Sequence, residues 1–464
     1  MKLKLRLPKL FIFLLSIAIF VPSCKNYNNS DPLNEKKVAN YDSKVVVGWN
    51  DLFLEIERYA KGYRPGPAPR ALSLLGLSAY EACVSGMPDF NSLQNEMPGL
   101  SIPKVSSGVE YHWPTVVNAS YAFLMAKFFP EVKPELFIKI DQFKVKNENA
   151  FSATENKDVF DRSRAHGEAV ANAIWEWSKT DTYGHDAYKD PTKGYDWKVA
   201  YKKAGDWRPF DEANEQATFP YWGKVRAYTL TTEGSKLCKK PRAEYSEEVG
   251  SPYYVQAVEV MSFNTPSLTY EDKWKGEFWS DDLTNITFGP PSRWIAIASQ
   301  VFQNEKSNLE TAIYTCAKVG MAINDAGVGC WHSKFVYNLE RPVTYIRKFI
   351  NPTWQTNLSD PYSNLTNLTP TFPAYPSGHS TFSGAAAETL SSIFGYNYSM
   401  TDNCHKDRTD FIGTPRTFVS FYDMGEENAF SRIPLGVHWR MDCEEGFRFG
   451  KEIGNRVNNL PWKK

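Results

Sequence analysis

The chain has 464 residues, with 53 Lys and Arg against 53 Asp and Glu, so its formal net charge is zero. That balance excludes a global basic field for nucleic acid or an anionic membrane, so any anion site must be local. The length leaves room for a large core and up to three domains, and the 15% aromatic content fits aromatic-lined pockets.

Lys2, Lys4, Arg6 and Lys9 precede an apolar run from Leu10 to Val21, which ends at Pro22-Ser23-Cys24. A short apolar run between positive charges and a small-residue site is the pattern of an export leader, not of a membrane span. Residues 1–23 are therefore expected to be a lipoprotein-type signal peptide, with Cys24 lipidated and the chain anchored to a bacterial cell envelope, or secreted outright. Residues 24–44 read as a polar tether. Six further cysteines, Cys83, Cys238, Cys316, Cys330, Cys404 and Cys443, show no metal-type spacing. In an oxidising compartment some can pair, but spacing alone does not give the pairs.

Helical periodicity begins at 45–63, with Val47, Trp49, Leu52, Phe53 and Ile56 on one face, and breaks at the run Pro65 to Pro69. Arg70 to Ala82 reads as a buried helix rich in small residues, followed by helices over 114–129, 134–148 and 156–180. Residues 181–242 dissolve into Gly, Pro, Asp, Trp and Tyr, the composition of a long ordered loop. Helices resume at 252–263, 291–304 and 307–329. A Pro/Asn/Thr-rich loop spans 351–376, and the last two helices cover 379–394 and 435–457. Few stretches alternate with period two. The expected fold is all-α, a helical bundle or a pair of bundles, with halves over 45–250 and 251–464.

Three separated segments carry related chemistry. In Trp331 to Pro342, Lys334 and Arg341 are seven apart, which places both cations on one side of a continuing helix. In Phe372 to His379, Ser377 and Gly378 offer a hydroxyl and backbone N–H groups at a helix N-terminus, where an anion is favoured, with His379 beside it to exchange protons. In Ser431 to Asp442, His438 and Asp442 are four apart. On a helix the carboxylate would fix one ring nitrogen and leave the other free to attack or ligate. Arg432 leads into that segment and suits an oxyanion. Taken singly these are a solvated helix face, a capped turn and a surface arginine. Together they supply three cations, a backbone nest and two imidazoles.

The order Lys-x6-Arg-Pro, Pro-Ser-Gly-His, Ser-Arg-x5-His-x3-Asp resembles the superfamily uniting type 2 phosphatidic acid phosphatases, bacterial class A acid phosphatases and vanadium-dependent haloperoxidases. The resemblance spans residues 331–442, all three motifs are complete, and the fold it implies is two four-helix bundles. It implies that Lys334, Arg341 and Arg432 neutralise the oxygens of vanadate or phosphate, and that Ser377 and the Gly378 N–H add hydrogen bonds. It further implies His438 as the ligand of vanadium, or as the nucleophile of a phosphatase, oriented by Asp442, with His379 as the acid/base group. Trp331 and Phe372 stand where the haloperoxidases place aromatic rings beside vanadate and halide. The stretch Phe278-Trp279-Ser280-Asp281-Asp282, with Pro290-Pro291 after it, resembles the one that supplies an aspartate to the arginine matched by Arg432. Asp282 is preferred and Asp281 is the alternative.

The resemblance thus points to a vanadium-dependent haloperoxidase with vanadate as cofactor, acting on hydrogen peroxide, a halide (iodide or bromide favoured) and small organic acceptors. No nucleic-acid partner is expected, and membrane contact only through the lipid anchor. Oligomeric state stays open between monomer and dimer. A periplasmic acid phosphatase working through a phosphohistidine is the alternative. A glycan-binding lipoprotein would suit the aromatic content but leave the motifs unexplained.

Overall fold

The computed structural model describes residues 36–263, 267–363 and 365–464; the expected signal peptide and residues 24–35 of the expected tether lie outside them. Apolar periodicity becomes helices arranged around one, Leu309–Tyr337, which is 29 residues long and buried along nearly its whole length. Against it pack Pro67–Cys83, Gly378–Phe394, Arg440–Asn458 and Arg293–Asn304. Trp113–Phe128, Pro134–Ser152, Lys157–Lys179 and Lys44–Glu57 build the rest of the N-terminal half. Strand among the described residues is confined to a two-stranded antiparallel ladder, Met400–Asp402 against Arg416–Phe418, with Thr401 opposite Thr417.

The division expected at residue 250 is not a break in the core. A single apolar cluster runs from Val38 to Trp462, and the Pro67–Cys83 helix of the first half lies along the Leu309–Tyr337 helix of the second. Nor does the tether reach residue 44. Val38 is fully buried, Trp113 donates to the Lys36 carbonyl at 2.7 Å and the Leu309 N–H donates to the Tyr41 carbonyl at 2.8 Å. All six described cysteines are free thiols. No helix among the described residues is long and apolar enough to cross a membrane.

Two helices that flank the site touch backbone to backbone. A Cβ on Gly450 would fall 2.1 Å from the Thr381 carbonyl, and one on Gly384 would fall 2.2 Å from that of Phe447. Only glycine permits that approach, and it fixes the start of Gly378–Phe394 against the first turn of Arg440–Asn458, where the Ser377 N–H donates to the Asp442 carbonyl at 3.0 Å. Three helices fall outside the expected set, Tyr270–Phe278, Pro342–Phe349 and Phe421–Phe430, with 9, 8 and 10 residues. Each is too short for a 3.6-residue period to repeat clearly.

Candidate functional site

Two of the expected helical spacings are not helical. Leu309–Tyr337 ends at Asn338, whose φ of 48° is left-handed, and Pro342 opens the next helix, a position that suits a residue without an N–H. Lys334 therefore sits on the last turn of one helix and Arg341 on the break before the next. Likewise Arg440–Asn458 starts five residues later than expected, after Gly436 at φ 79°. His438 precedes that helix. Asp442 reaches back from its first turn, and its Oδ2 accepts from both His438 Nδ1 at 2.8 Å and the Trp439 N–H at 3.1 Å. The helix cap and the imidazole anchor are the same oxygen.

With Nδ1–H donated to Asp442, the lone pair of His438 lies on Nε2, which meets Arg341 Nη1 at 3.1 Å. Arg341 also donates Nη1 to the Val437 carbonyl at 2.8 Å and Nε to that of Phe372 at 2.9 Å. Its Nη2 has no partner among the described residues. Arg432 donates Nη2 to Asp282 Oδ2 at 2.7 Å, and its Nε and Nη1 have none. Asp281 is engaged elsewhere, by Arg293 Nη1 at 3.1 Å and His405 Nε2 at 2.8 Å. His379 Nε2, also without a partner, lies 3.9 Å from Asp282 Oδ2.

Lys334 differs from expectation. Its ammonium donates to the carbonyls of Pro373 at 2.8 Å, Ala374 at 2.9 Å and Pro376 at 2.6 Å, so its three N–H groups are committed. It sits 5.1 Å from the Phe372 ring centre and 5.7 Å from that of Trp331. Here it ties down the turn that leads to Ser377 and adds its charge from behind. Ser377 caps its own helix, its hydroxyl oxygen accepting from the Ser380 N–H at 3.4 Å.

Gly378, His379, Arg432 and His438 form one end of a cavity of about 350 Å³, and Trp331, Phe372 and Asp282 also line it. Burial pushes the Asp442 carboxyl up to about 7 against the pull of Lys334. Burial, with Arg341, Lys334 and Arg432 around it, presses His438 well below the usual imidazole range. His379 moves the same way, through burial and then Arg432. Burial lowers Lys334 to about 7. Unpartnered guanidinium N–H groups and an imidazole on a cationic wall are costly unless an anion rich in acceptors meets them.

Sequence patterns missed much of the cavity wall. Arg64 lines it, paired with the fully buried Glu57 at 3.1 Å. Thr218 and Thr371 join the two long loops across it, with a hydroxyl contact of 2.6 Å. The signal available was only the Pro/Thr/Gly composition of those loops.

Two consequences are testable. Asp442→Asn keeps the volume but weakens the acceptor that sets the His438 tautomer. Oxyanion affinity is expected to fall about 10–100-fold with an unchanged helical spectrum; calorimetric affinity within twofold of native would contradict this. The second concerns acid stability. A base whose pKa is lowered by folding takes up a proton more readily in the unfolded chain, so stability falls as pH drops below about 6.5. In the oxyanion-free protein, His379→Asn should flatten that slope by about 1.4 kcal/mol per pH unit, read from urea midpoints at pH 5 to 7. Parallel slopes in both proteins would contradict it.

Comparison with known proteins places this geometry. A family model described as the VCPO second helical-bundle domain matches residues 315–461. Vanadium chloroperoxidase of Curvularia inaequalis is 24% identical over 491 residues, covering 87% of this chain and 80% of that protein. A vanadium-dependent bromoperoxidase of Ascophyllum nodosum is 34% identical over 99 residues, covering 19% of this chain and 17% of that one. Among solved structures, a bacterial vanadium-dependent iodoperoxidase superposes with a TM-score of 0.77 at 25% identity, covering 92% of this chain and 98% of that one. A bacterial vanadium-dependent chloroperoxidase shares the fold at 15% identity, with a TM-score of 0.61 and coverage of 86% and 94%. The match extends beyond the motif-bearing half to nearly the whole described chain, which is similar in sequence and fold to vanadium-dependent haloperoxidases.

Proposed function

We propose that the protein oxidises a halide with hydrogen peroxide to a hypohalous species, using vanadate held at His438. The observation that carries this is the set of donors without partners among the described residues, Arg341 Nη2 with Arg432 Nε and Nη1, around an imidazole whose Nδ1 is held by Asp442, leaving the lone pair on Nε2. That donor set fits a tetrahedral oxyanion of two or three charges.

His438 Nε2 would ligate the vanadium, Arg341 and Arg432 would bind its oxygens, and the start of the Gly378–Phe394 helix would add backbone N–H groups. Bound there, vanadate supplies a Lewis acid that activates peroxide for two-electron attack by halide without changing its own oxidation state. Asp442 keeps the proton on Nδ1 so that Nε2 stays a lone pair. His379, neutral near pH 7 and unpartnered at Nε2, takes a proton from incoming hydrogen peroxide. Trp331 and Phe372, ring centres 4.9 Å apart, exclude water beside the Lys334 charge. Such an apolar, cationic surface favours large, weakly hydrated halides, so iodide and then bromide are the proposed substrates. Likeness to an iodoperoxidase supports that order.

The test is metal analysis and triiodide formation before and after loading metal-stripped protein with orthovanadate. Activity is expected only after loading, near one vanadium per chain. We also propose export and lipid anchoring at Cys24, on the strength of the Lys2 to Cys24 pattern. Cys24→Ser should move the protein from the membrane fraction to the supernatant; retention in the membrane would contradict it.

A further inference from the structure

Residues 278–282 touch the site at two points. Asp282 Oδ2 accepts from Arg432 Nη2 at 2.7 Å. Three residues earlier, the Trp279 backbone is hydrogen-bonded to the His379 ring in a way that favours the protonated imidazole, so the ring donates to the carbonyl. His379 Nε2 has no partner among the described residues, so the donor is Nδ1 and the lone pair of the neutral ring lies on Nε2. One short stretch of backbone therefore sets the tautomer of His379 and supplies the partner of Arg432.

That stretch is held by Arg293, which is fully buried. Arg293 donates Nη1 to the Phe278 carbonyl at 3.1 Å and to Asp281 Oδ2 at 3.1 Å, on either side of Trp279. Its guanidinium carbon lies 4.5 Å from the Phe278 ring centre and 4.6 Å from that of Trp279. On the far side, Nε and Nη2 both donate to Asp402 Oδ2, at 3.0 and 2.8 Å. Asp402 is held in turn, its Oδ1 accepting from Gln300 Nε2 at 3.0 Å and the Cys404 N–H at 2.9 Å. His405 Nε2 meets the other oxygen of Asp281 at 2.8 Å. A buried ionic cluster adds little stability over apolar residues of similar volume. What this one provides is a rigid fork that ties the Met400–Asp402 strand to the stretch beside the site.

We propose that Arg293 is a positioning residue for the peroxide step: anchored on Asp402, it sets residues 278–282 so that the Trp279 carbonyl and Asp282 hold His379 and Arg432 in register. Arg293 itself does not line the cavity. This role rests on the halide-oxidising reading above, in which His379 Nε2 takes a proton from hydrogen peroxide. A displacement of the stretch by about 1 Å would release the Nδ1–H bond, let the ring exchange tautomers, and slow the proton transfer on the order of tenfold or more.

Two variants separate this role from stability. Arg293→Lys keeps a cation beside Asp402 but lacks the second arm that reaches Asp281 and the Phe278 carbonyl. Arg293→Met/Asp402→Asn removes one cation and one anion together, so the cluster keeps its net charge. Both should still bind one vanadium per chain, while kcat/KM for hydrogen peroxide per bound vanadium falls at least about tenfold and the KM for iodide stays within about twofold. The second readout needs no vanadate. In oxyanion-free protein labelled at the histidine nitrogens, the His379 ring, one of 7 in the chain and assigned through His379→Asn, should show the Nδ1–H tautomer by NMR at neutral pH. Both variants should show a mixture. A merely structural Arg293 would lower the yield of folded, loaded protein and move neither readout. Native kcat/KM per bound vanadium in both variants, or an unchanged His379 tautomer, would overturn the proposal alone. Absence of iodide oxidation by the loaded native enzyme would overturn the underlying reading with it.

Discussion

His438→Ala should reduce halide oxidation to at most about a thousandth of the native rate and abolish stoichiometric vanadium binding. Both outcomes have one cause, loss of Nε2, the ring nitrogen left with the lone pair while Nδ1 binds Asp442 at 2.8 Å. Folding is expected to survive. Asp442 loses one of its two donors but keeps the Trp439 N–H at 3.1 Å, and Arg341 keeps the Val437 carbonyl at 2.8 Å, so the stability loss should be about 1–3 kcal/mol. Triiodide assays and vanadium analysis on the folded variant read both quantities. Retention of a tenth of native activity would show that another residue holds the oxyanion.

Arg432→Met should be nearly as damaging, and it separates two roles of one side chain. Arg432 is fully buried. It neutralises Asp282 through Nη2 at 2.7 Å, while Nε and Nη1 have no partner among the described residues. Methionine matches the length of the stem but leaves Asp282 without its cation, at a cost of about 3 kcal/mol. It also removes two donors from the anion site, which should lower oxyanion affinity by about 10²–10³. The double variant Arg432→Met/Asp282→Asn should recover most of the stability and none of the affinity. Urea midpoints and calorimetric titration with phosphate measure the two separately. Recovery of affinity in the double variant would mean that Arg432 serves only to hold Asp282.

The sequence makes the cast of this site legible because its chemistry is local. Lys334 with Arg341, Ser377 with His379 and Arg432 with Asp442 each fall within a dozen residues, and side chains that bind an oxyanion are few in kind. How they reach it is less legible. The seven-residue gap from Lys334 to Arg341 reads as two helical turns, yet a left-handed Asn338 breaks the helix between them. The four-residue gap from His438 to Asp442 reads as one helical face, yet the contact forms across a helix cap. In both cases one backbone turn overrides a periodicity argument. That Lys334 has committed all three N–H groups to carbonyls depends on the path of residues 373–376, which no side-chain pattern encodes. The cavity wall is hidden for a similar reason. Arg64, Thr218, Leu283 and Leu368 come from four segments far apart in the chain, and nothing in any one of them marks it as part of a pocket. The long helices are readable because their apolar faces repeat often enough to stand out.

Halide-dependent consumption of hydrogen peroxide, measured on one metal-stripped preparation with and without orthovanadate, tests the central claim most directly. An oxyanion cage built for redox use predicts no triiodide before loading, full activity after it, and slow hydrolysis of p-nitrophenyl phosphate. Rapid hydrolysis of that ester, inhibited by vanadate and accompanied by no iodide oxidation, would contradict the account and make His438 the nucleophile of a phosphatase.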